Sequence, residues 1–483
     1  RYILLFALLA LAGCTKDGED PRYPHSSRVV LVYMAGDNSL GGYVQDNLDA
    51  MRRGMASVPS GGRTIAYVDT PDGNPRLVEV TASGMEILHA WPSPHNSASA
   101  ATVHEVISLV RTLAPADRYG LVLWSHGLAW MPSWATGYLT RSKARMAESW
   151  PQTKHEEMLP ASFASAARPD SVPVSVTIPG PASADRPIPT ASVPTSWPAT
   201  KWFGQDTGES PAGYLDTEQL SEAIPSGVFD WMLFDACFMA SAETLYALRD
   251  KAERIVCSPA EVIADGFPYA EIMAELLRPE PDLRAVCETY YRHYADDPRP
   301  AYRSATVSLV ETSQLEALAA ATASVLGAAL TADPEVLSNM DLNRLQPLDR
   351  YRRHFLFDMG SVVALMETRG LVPASLAGAW RAQLARTVIY EAHTPTMLGL
   401  ALDACCGLSM YVPVSAYADL NEYYRSLEWY RQCYPANYEI AQWPKIQICK
   451  SMVRSCGEIW CSKESRNGGK RTAIPGTPRK RRP

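Results

Sequence analysis

Six short apolar segments, separated by stretches with helical periodicity, constrain the fold more than any other feature of the sequence. They are Val29–Met34, Thr64–Val68, Leu121–Trp124, Trp231–Phe234, Ile255–Cys257 and Thr306–Val310. They are continuous rather than alternating, which is typical of strands buried on both faces of a sheet. The order of strands and helices therefore predicts an α/β fold, with an open, mostly parallel sheet between layers of helices.

Helical patterns fill the intervals between these segments. The predicted helices are Ser97–Leu113, Asp216–Ile224, Ala240–Leu248, Tyr269–Leu277, Leu315–Ala329, Pro334–Leu345 and Ser375–Tyr390. An apolar strand is expected after them, at Gly407–Val412. The C-terminal part of the fold is therefore expected to be rich in helices.

The N-terminal segment predicts export. Tyr2–Ala12 is apolar, follows Arg1 and is too short to span a bilayer. It ends in Leu11-Ala12-Gly13-Cys14, which resembles a bacterial lipobox, although an ordinary secretory signal would share these features. We expect residues 1–27 to be a lipoprotein signal peptide and tether, with Cys14 lipidated and the protein anchored at the outer membrane or cell surface.

Two segments differ from the rest of the chain. Residues 136–205 are rich in Pro, Ser and Ala, with ten prolines between Trp150 and Lys201, and are expected to form a surface linker or processed insert. Residues 445–483 hold eleven Lys/Arg against two Glu and are expected to be a disordered basic tail. The predicted core consists of residues 28–135 and 206–413, and residues 414–444 extend it.

Reactive side chains follow the predicted strands at their carboxyl ends, where ligands bind in open α/β sheets. Ser125-His126-Gly127 follows the third apolar segment and Asp235-Ala236-Cys237 follows the fourth. Of the nine histidines, only His126 ends one of these strands. We therefore expect the imidazole of His126 and the thiol of Cys237 to face each other across one crevice.

This pair suits nucleophilic catalysis. A thiol and an imidazole can both be tuned towards neutral pH, so the thiolate can attack while the imidazole protonates a leaving amine. The N–H groups of Gly127 and Cys237 are candidate donors of an oxyanion hole. The alternative is that Cys237 is a small core residue and His126 a hydrogen-bonded strand cap.

Five segments carry a resemblance to a known family. They are Tyr33–Leu40, Leu123–Gly127, Phe234–Glu243, Ser258–Tyr269 and Gly407–Pro413. They resemble the signature segments of the clostripain family, which are cysteine peptidases of caspase-like fold that cut after Arg or Lys. The resemblance covers roughly residues 28–135 and 206–413 and implies a cysteine endopeptidase made as a zymogen, with His126 and Cys237 as catalytic residues.

The resemblance also implies how a basic P1 side chain is bound. Asp235 matches a family position at the base of the S1 pocket, and Asp265 lies where the family can place a second acidic residue, although Asp265 could equally be a turn former. Asp37 and Asp69 follow two neighbouring strands and could bind calcium, an ion associated with clostripain-type enzymes. No other cofactor is expected, and Asp37 and Asp69 are also ordinary turn or cap residues.

Processing is expected inside Arg141–Lys201, a stretch that lengthens the separation between His126 and Cys237. The leading candidates for the cut are Arg141, Lys143, Arg145 and Lys201, and further basic residues there are Lys154, Arg168 and Arg186.

The sequence leaves two other functions open. One is a catalytically inactive binding lipoprotein of the same fold, and the other is a metal-dependent hydrolase that uses Asp37, Asp69, His126 and Asp235. The expected partners are protein or peptide substrates. Membrane contact is expected through the N-terminal lipid alone, and a formal net charge of −7 gives no reason to expect a nucleic-acid partner.

Overall fold

The computed structural model describes residues 24–58, 60–135, 205–206, 213–351, 354–413, 417–436 and 438. Residues 1–23, nearly all of the insert at 136–205 and the tail at 445–483 lie outside the described residues. Strand β1 begins at Ser26, inside the segment predicted as a tether. The predictions for Cys14, for Arg141, Lys143, Arg145 and Lys201, and for the basic tail therefore concern residues that the structure does not describe.

The strands form one large sheet and three small ones. In chain order they are β1 (Ser26–Ala35), β2 (Gly62–Thr70), β3 (Gly73–Thr81), β4 (Gly84–Ala90), β5 (Ala116–Trp124), β6 (Gln205–Asp206), β7 (Gly213–Tyr214), β8 (Phe229–Asp235), β9 (Ala252–Cys257), β10 (Thr306–Glu311), β11 (Leu356–Asp358), β12 (Val388–His393), β13 (Thr396–Met397), β14 (Leu400–Ala401) and β15 (Ser409–Tyr411). The large sheet has nine strands in the order β12-β10-β9-β8-β5-β1-β2-β3-β4.

Parallel strands occupy the centre of this sheet, as the apolar segments predicted. Strands β9, β8, β5, β1 and β2 pair in parallel. Antiparallel strands complete both edges, with β3 and β4 on one side and β10 and β12 on the other. The α/β class and the mostly parallel sheet between helices are therefore confirmed.

Helices cover both faces of the sheet. In chain order they are α1 (Gly41–Gly54), α2 (Ala100–Leu113), α3 (Thr217–Ala223), α4 (Ala242–Ala247), α5 (Tyr269–Leu276), α6 (Leu283–Ala295), α7 (Leu315–Ala332), α8 (Met359–Thr368), α9 (Ala374–Thr387), α10 (Ala418–Ser426) and α11 (Glu428–Cys433).

Alternate side chains of the central strands enter two separate cores. In β1, Val29 and Leu31 join the core that contains residues of α2, α3, α4 and α7, whereas Val30 and Val32 join the core that contains residues of α1, α5 and α6. Successive side chains of a strand point to opposite faces, so a strand covered on both faces must be apolar throughout. This requirement explains the continuous apolar segments in the sequence.

Two predicted helices differ from the structure. Pro334–Leu345 is wrong, because the chain forms turns there and only Leu342–Arg344 has a short 3₁₀ helix. Asp333 and Asp341 accept hydrogen bonds from the backbone N–H two residues later, a pattern that favours turns over helix. The helix predicted at Ser375–Tyr390 ends at Thr387, after which Val388 starts the edge strand β12.

The expected apolar strand at Gly407–Val412 is present as β15, but outside the large sheet. It pairs with β11 in an antiparallel two-stranded sheet. An isolated bridge joins Ser409 to Ser241, close to the carboxyl end of β8.

One helical stretch, Thr312–Ala332, is long and apolar enough to cross a membrane by length and composition. Several of its side chains, including Leu315, Leu318 and Val325, are buried in the core of the fold. The packing explains its apolar character as that of a core helix.

Candidate active site

The pairing of β5 with β8 brings the two loops of the candidate site together. The two strands are adjacent and parallel, and Trp124 lies opposite Asp235 at their carboxyl ends. His126 and Cys237 each follow two residues beyond these paired positions. The ends of two adjacent parallel strands therefore position this histidine and this cysteine.

The loop after β5 lies directly against the loop after β8. A Cβ atom added to Gly127 would be 1.9 Å from the carbonyl oxygen of Cys237 and 2.8 Å from its nitrogen. Real side chains do not tolerate such distances, so the contact requires glycine. The backbone of Gly127 is thus held beside the backbone of Cys237, as an oxyanion site built from both would need.

His126 is nearly buried and contacts a residue that sequence reasoning did not single out. Its Nε2 atom lies 3.0 Å from Ser39 Oγ, and the tautomer of the ring decides which atom donates. Asn38 shapes the loop that carries Ser39, because its Nδ2 donates to Ala35 O at 2.9 Å and its Oδ1 accepts from Leu40 N at 2.9 Å. Membership of the Tyr33–Leu40 motif was the one sequence signal for Ser39.

The thiol of Cys237 is covered by the loop that follows β9. Cys237 has no exposed surface, Val262 N donates a hydrogen bond to its Sγ at 3.1 Å, and Sγ lies 3.6 Å from Val262 O. We call residues 258–267 the covering loop. In the conformation described, a substrate carbonyl cannot reach the sulfur unless this loop shifts.

The backbone after the nucleophile candidate is strained. Phe238 has φ of +64°, a left-handed conformation that bulky residues rarely adopt. Two hydrogen bonds to the covering loop hold this turn: Phe238 N donates to Ala260 O at 2.8 Å and Ala240 N donates to Ser258 O at 2.9 Å. The turn and the covering loop therefore form one connected unit.

A nearly buried ion pair anchors the covering loop. Both carboxylate oxygens of Glu261 accept hydrogen bonds from Arg350, one of them from Nη2 at 3.1 Å. Burial lowers the pKa of Arg350, but the charge and hydrogen bonds of Glu261 outweigh burial and hold that pKa above its ordinary value. Sequence reasoning missed this pair, because nothing in the sequence relates two residues so far apart.

The two acidic residues predicted to bind a basic side chain lie in different environments. Asp235 is fully buried, and its Oδ2 accepts hydrogen bonds from Tyr269 OH at 2.9 Å and from Phe267 N at 3.2 Å. Burial raises the pKa of the Tyr269 phenol well above its ordinary value, and the charge of Asp235 adds to this effect. Asp265 is exposed on the covering loop.

Asp37 and Asp69 lie close together at the carboxyl ends of β1 and β2. Asp69 is buried opposite Ala35 in the β1–β2 pairing, and Asp37 is partly exposed two residues beyond Ala35. Among the residues that the structure describes, only one group of three or more metal-binding side chains lies close together, and it contains neither Asp37 nor Asp69. Calcium binding by Asp37 and Asp69 stays a prediction.

Cys257, at the end of the neighbouring strand β9, is the main rival thiol. Burial alone raises the pKa of this thiol far above its ordinary range. A protonated, buried thiol is a poor nucleophile. The surroundings of the two thiols therefore favour Cys237 as the nucleophile, because it lies beside Gly127 and next to a strained turn.

The sequence and the fold of this chain are similar to those of known proteins. The sequence model of the clostripain family, peptidase family C11, matches residues 32–144 and 191–446. The structure of an inactive zymogen of a C11 protease from Parabacteroides distasonis is similar to this one, with 27% identity and a TM-score of 0.63 over 85% of this chain and 99% of that chain. No match was found among curated proteins.

A second similar structure is a secreted C11 cysteine protease from Bacteroides thetaiotaomicron in complex with an irreversible peptide inhibitor. It is 24% identical, with a TM-score of 0.61 over 84% of this chain and 99% of that chain. At this level of identity the likeness concerns the fold.

The contact between Gly127 and Cys237 predicts that Gly127→Ala destabilises the protein. The new methyl group would force the ends of β5 and β8 apart, and we expect the free energy of unfolding in urea to fall by about 1–3 kcal/mol. Gly73→Ala is the matched control, because no atom lies within 4 Å of a Cβ added there. Equal stability of the two variants would show that the loops are not in contact as described.

Proposed function

This chain belongs to the clostripain family of cysteine peptidases, and we propose that it is an endopeptidase that cleaves after Arg or Lys with Cys237 as nucleophile and His126 as acid–base partner. The observation that carries the proposal is the adjacency of the two strand ends, with Gly127 pressed against the backbone of Cys237. Both members of the dyad are present, which argues against an inactive binding lipoprotein. The family membership argues against a metal-dependent hydrolase.

The chemistry follows from this arrangement. The Cys237 thiolate attacks the substrate carbonyl, and the N–H groups of Gly127 and Cys237 stabilise the negative charge that develops on its oxygen. His126 takes the proton of the Cys237 thiol, gives it to the leaving amine and then takes one from the water that hydrolyses the thioester. Ser39, bonded to His126 Nε2 at 3.0 Å, holds the imidazole until substrate arrives.

The covered thiol supports a zymogen state for this chain. Val262 occupies the approach to Sγ, and the Glu261–Arg350 pair holds the covering loop in place. The similar structure from Parabacteroides distasonis is itself an inactive zymogen. Activation then requires the covering loop to shift away from Cys237 Sγ.

We also propose that the protein is exported and held by a lipid on Cys14. The lipobox-like segment that ends at Cys14 supports this proposal. Labelled fatty acid should enter the wild type and not Cys14→Ala, and equal labelling of the two would exclude this lipid anchor.

Replacing the nucleophile should abolish catalysis without unfolding the protein. We expect Cys237→Ala to lower kcat/KM by at least a factor on the order of 10⁴, because no other group can form the thioester. Cys257→Ala is the matched control, since it removes an equally buried thiol from the next strand and should keep most of the activity. If Cys257→Ala is inactive and Cys237→Ala is active, the nucleophile has been assigned to the wrong strand.

Specificity should depend on Asp235. A buried carboxylate that loses its charge can no longer balance a guanidinium, so Asp235→Asn should lower kcat/KM for Arg at P1 by on the order of 100-fold relative to Leu at P1. Tyr269→Phe is the control, because it removes a hydrogen bond to Asp235 and keeps the charge. The ratio of kcat/KM for Arg at P1 to kcat/KM for Leu at P1 does not depend on how much of the enzyme is folded. A ratio near one in the wild type would refute the assignment of Asp235 to the S1 pocket.

Self-processing should occur within residues 136–205. The insert lies between the adjacent strands β5 and β8, so the two fragments made by a cut there would stay together in one sheet. We expect two chains from the wild type and one from Cys237→Ala on a denaturing gel, with the new N-terminus found by sequencing. A variant with Gln at positions 141, 143, 145, 154, 168, 186 and 201 keeps the catalytic residues and should not be cut within the insert. A wild type that is fully active as an intact single chain would refute this proposal.

A further inference from the structure

Three side chains of different chemistry meet at the edge of the large sheet, away from the candidate active site. They are the carboxylate of Glu391, the imidazole of His393 and the thiol of Cys405, and one ligand atom from each lies within 4.8 Å of the others. No second group of this kind occurs among the residues that the structure describes. We call these three residues the edge cluster.

Strand geometry explains why two of the three side chains converge. Glu391 and His393 are two residues apart on β12, so their side chains point to the same face of the sheet. They lie opposite Ser308 and Thr306 of β10, and β12 is the last strand of the sheet on this side. Both side chains are partly exposed, which leaves a path for an ion from solvent.

The third side chain arrives on a loop that is pressed against this edge. Gly407, two residues after Cys405, has φ of +86°, and a Cβ there would be 2.9 Å from Ser308 Oγ and 3.1 Å from Glu391 Cγ. Ser308 Oγ also donates to Gly407 O at 2.7 Å. Only glycine fits this conformation and this contact, so the fold itself brings Cys405 to Glu391 and His393.

The neighbouring cysteine serves a different purpose and provides a control. The sulfur of Cys406 accepts a hydrogen bond from Gly360 N at 3.2 Å and lies 3.4 Å from Leu408 O. Cys406 N donates to Asp358 Oδ1 at 2.6 Å. Cys406 therefore holds the start of α8 and is not part of the edge cluster.

The donor set selects the class of ion. Thiolate, imidazole and carboxylate together suit Zn²⁺, which binds such ligands at about 2.0–2.3 Å in tetrahedral geometry, whereas Ca²⁺ and Mg²⁺ prefer oxygen ligands alone. His393 Nδ1 and Glu391 Oε1 lie 2.5 Å apart and share a proton. A zinc ion would displace this proton, and the two atoms would then separate to about 3.3 Å, the spacing of two ligands in a tetrahedral site. An ordinary histidine–carboxylate pair accounts for these two residues, but it gives no reason for a thiol beside them.

The surroundings of the edge cluster are acidic. The carboxylates of Glu391 and Asp358 both act electrostatically on Cys405. Negative charges around the edge cluster attract a divalent cation.

We propose that Glu391, His393 and Cys405 bind a zinc ion, with a fourth position left to water. The ion fastens the loop that contains Cys405 to the edge strand. This loop continues into Ser409, whose N–H donates to Ala240 O at 3.0 Å, three residues after Cys237. Zinc therefore stabilises a segment that supports the turn behind the nucleophile, and it takes no part in the peptidase reaction.

The test measures zinc binding to the full chain in a Cys237→Ala background, because the catalytic thiol and His126 would themselves bind zinc. Affinity is measured by competition with a chromophoric chelator, and the metal-to-protein ratio by elemental analysis. Adding Cys405→Ser, Glu391→Gln or His393→Gln should remove one zinc equivalent or weaken its binding by at least about tenfold. Adding Cys406→Ser should leave that equivalent in place. Cysteines elsewhere in the chain are common to all variants and cancel in the comparison.

Two further measurements separate loss of the ligand from loss of the fold. Zinc should raise the thermal midpoint of the parent and not that of the Cys405→Ser variant, while the two should unfold alike without metal. Cobalt should give a thiolate-to-cobalt absorption band in the near ultraviolet that disappears with Cys405→Ser and persists with Cys406→Ser. Unchanged zinc binding after Cys405→Ser, or an equal loss after Cys406→Ser, would overturn the proposal.

Discussion

The parallel pairing of β5 with β8 is the constraint on which the rest of the site depends. It places the two strand ends side by side, because Trp124 lies opposite Asp235. The loops that contain His126 and Cys237 begin directly after these two residues. Close backbone contact between Gly127 and Cys237 then fixes the separation of the loops. Any change that shifts one strand along the other would move the imidazole and the thiol apart.

The covering loop also determines whether a substrate can reach the Cys237 sulfur. Its backbone carbonyls accept hydrogen bonds from the strained turn after Cys237, and Val262 N donates a hydrogen bond to the sulfur. Glu261 forms an ion pair with Arg350. The Asp235 carboxylate is oriented by Phe267 N and by Tyr269, at the end of the same loop and the start of α5. Movement of the covering loop would therefore change access to the thiol and the surroundings of Asp235 together.

The sequence predicted those parts of the molecule that depend on periodicity. The six apolar segments became the core strands because burial on both faces leaves no room for polar positions, and strand ends located His126 and Cys237. Strand β4 has no continuous apolar segment in its sequence, because much of it is exposed, as at Ile87. The contacts of Ser39 with His126, Val262 with Cys237 and Glu261 with Arg350 join residues whose sequence separation follows no period, so only the folded structure reveals them.

The position of Val262 over the Cys237 sulfur also bears on redox chemistry. A reactive thiolate that meets solvent is oxidised to sulfenic acid and then, irreversibly, to higher acids. With no exposed surface and with its sulfur beside the backbone N–H and carbonyl of Val262, Cys237 is closed to peroxide as well as to peptides. The same covering loop thus protects the sulfur from oxidants, and the thiol becomes vulnerable to them only when it becomes accessible to substrate.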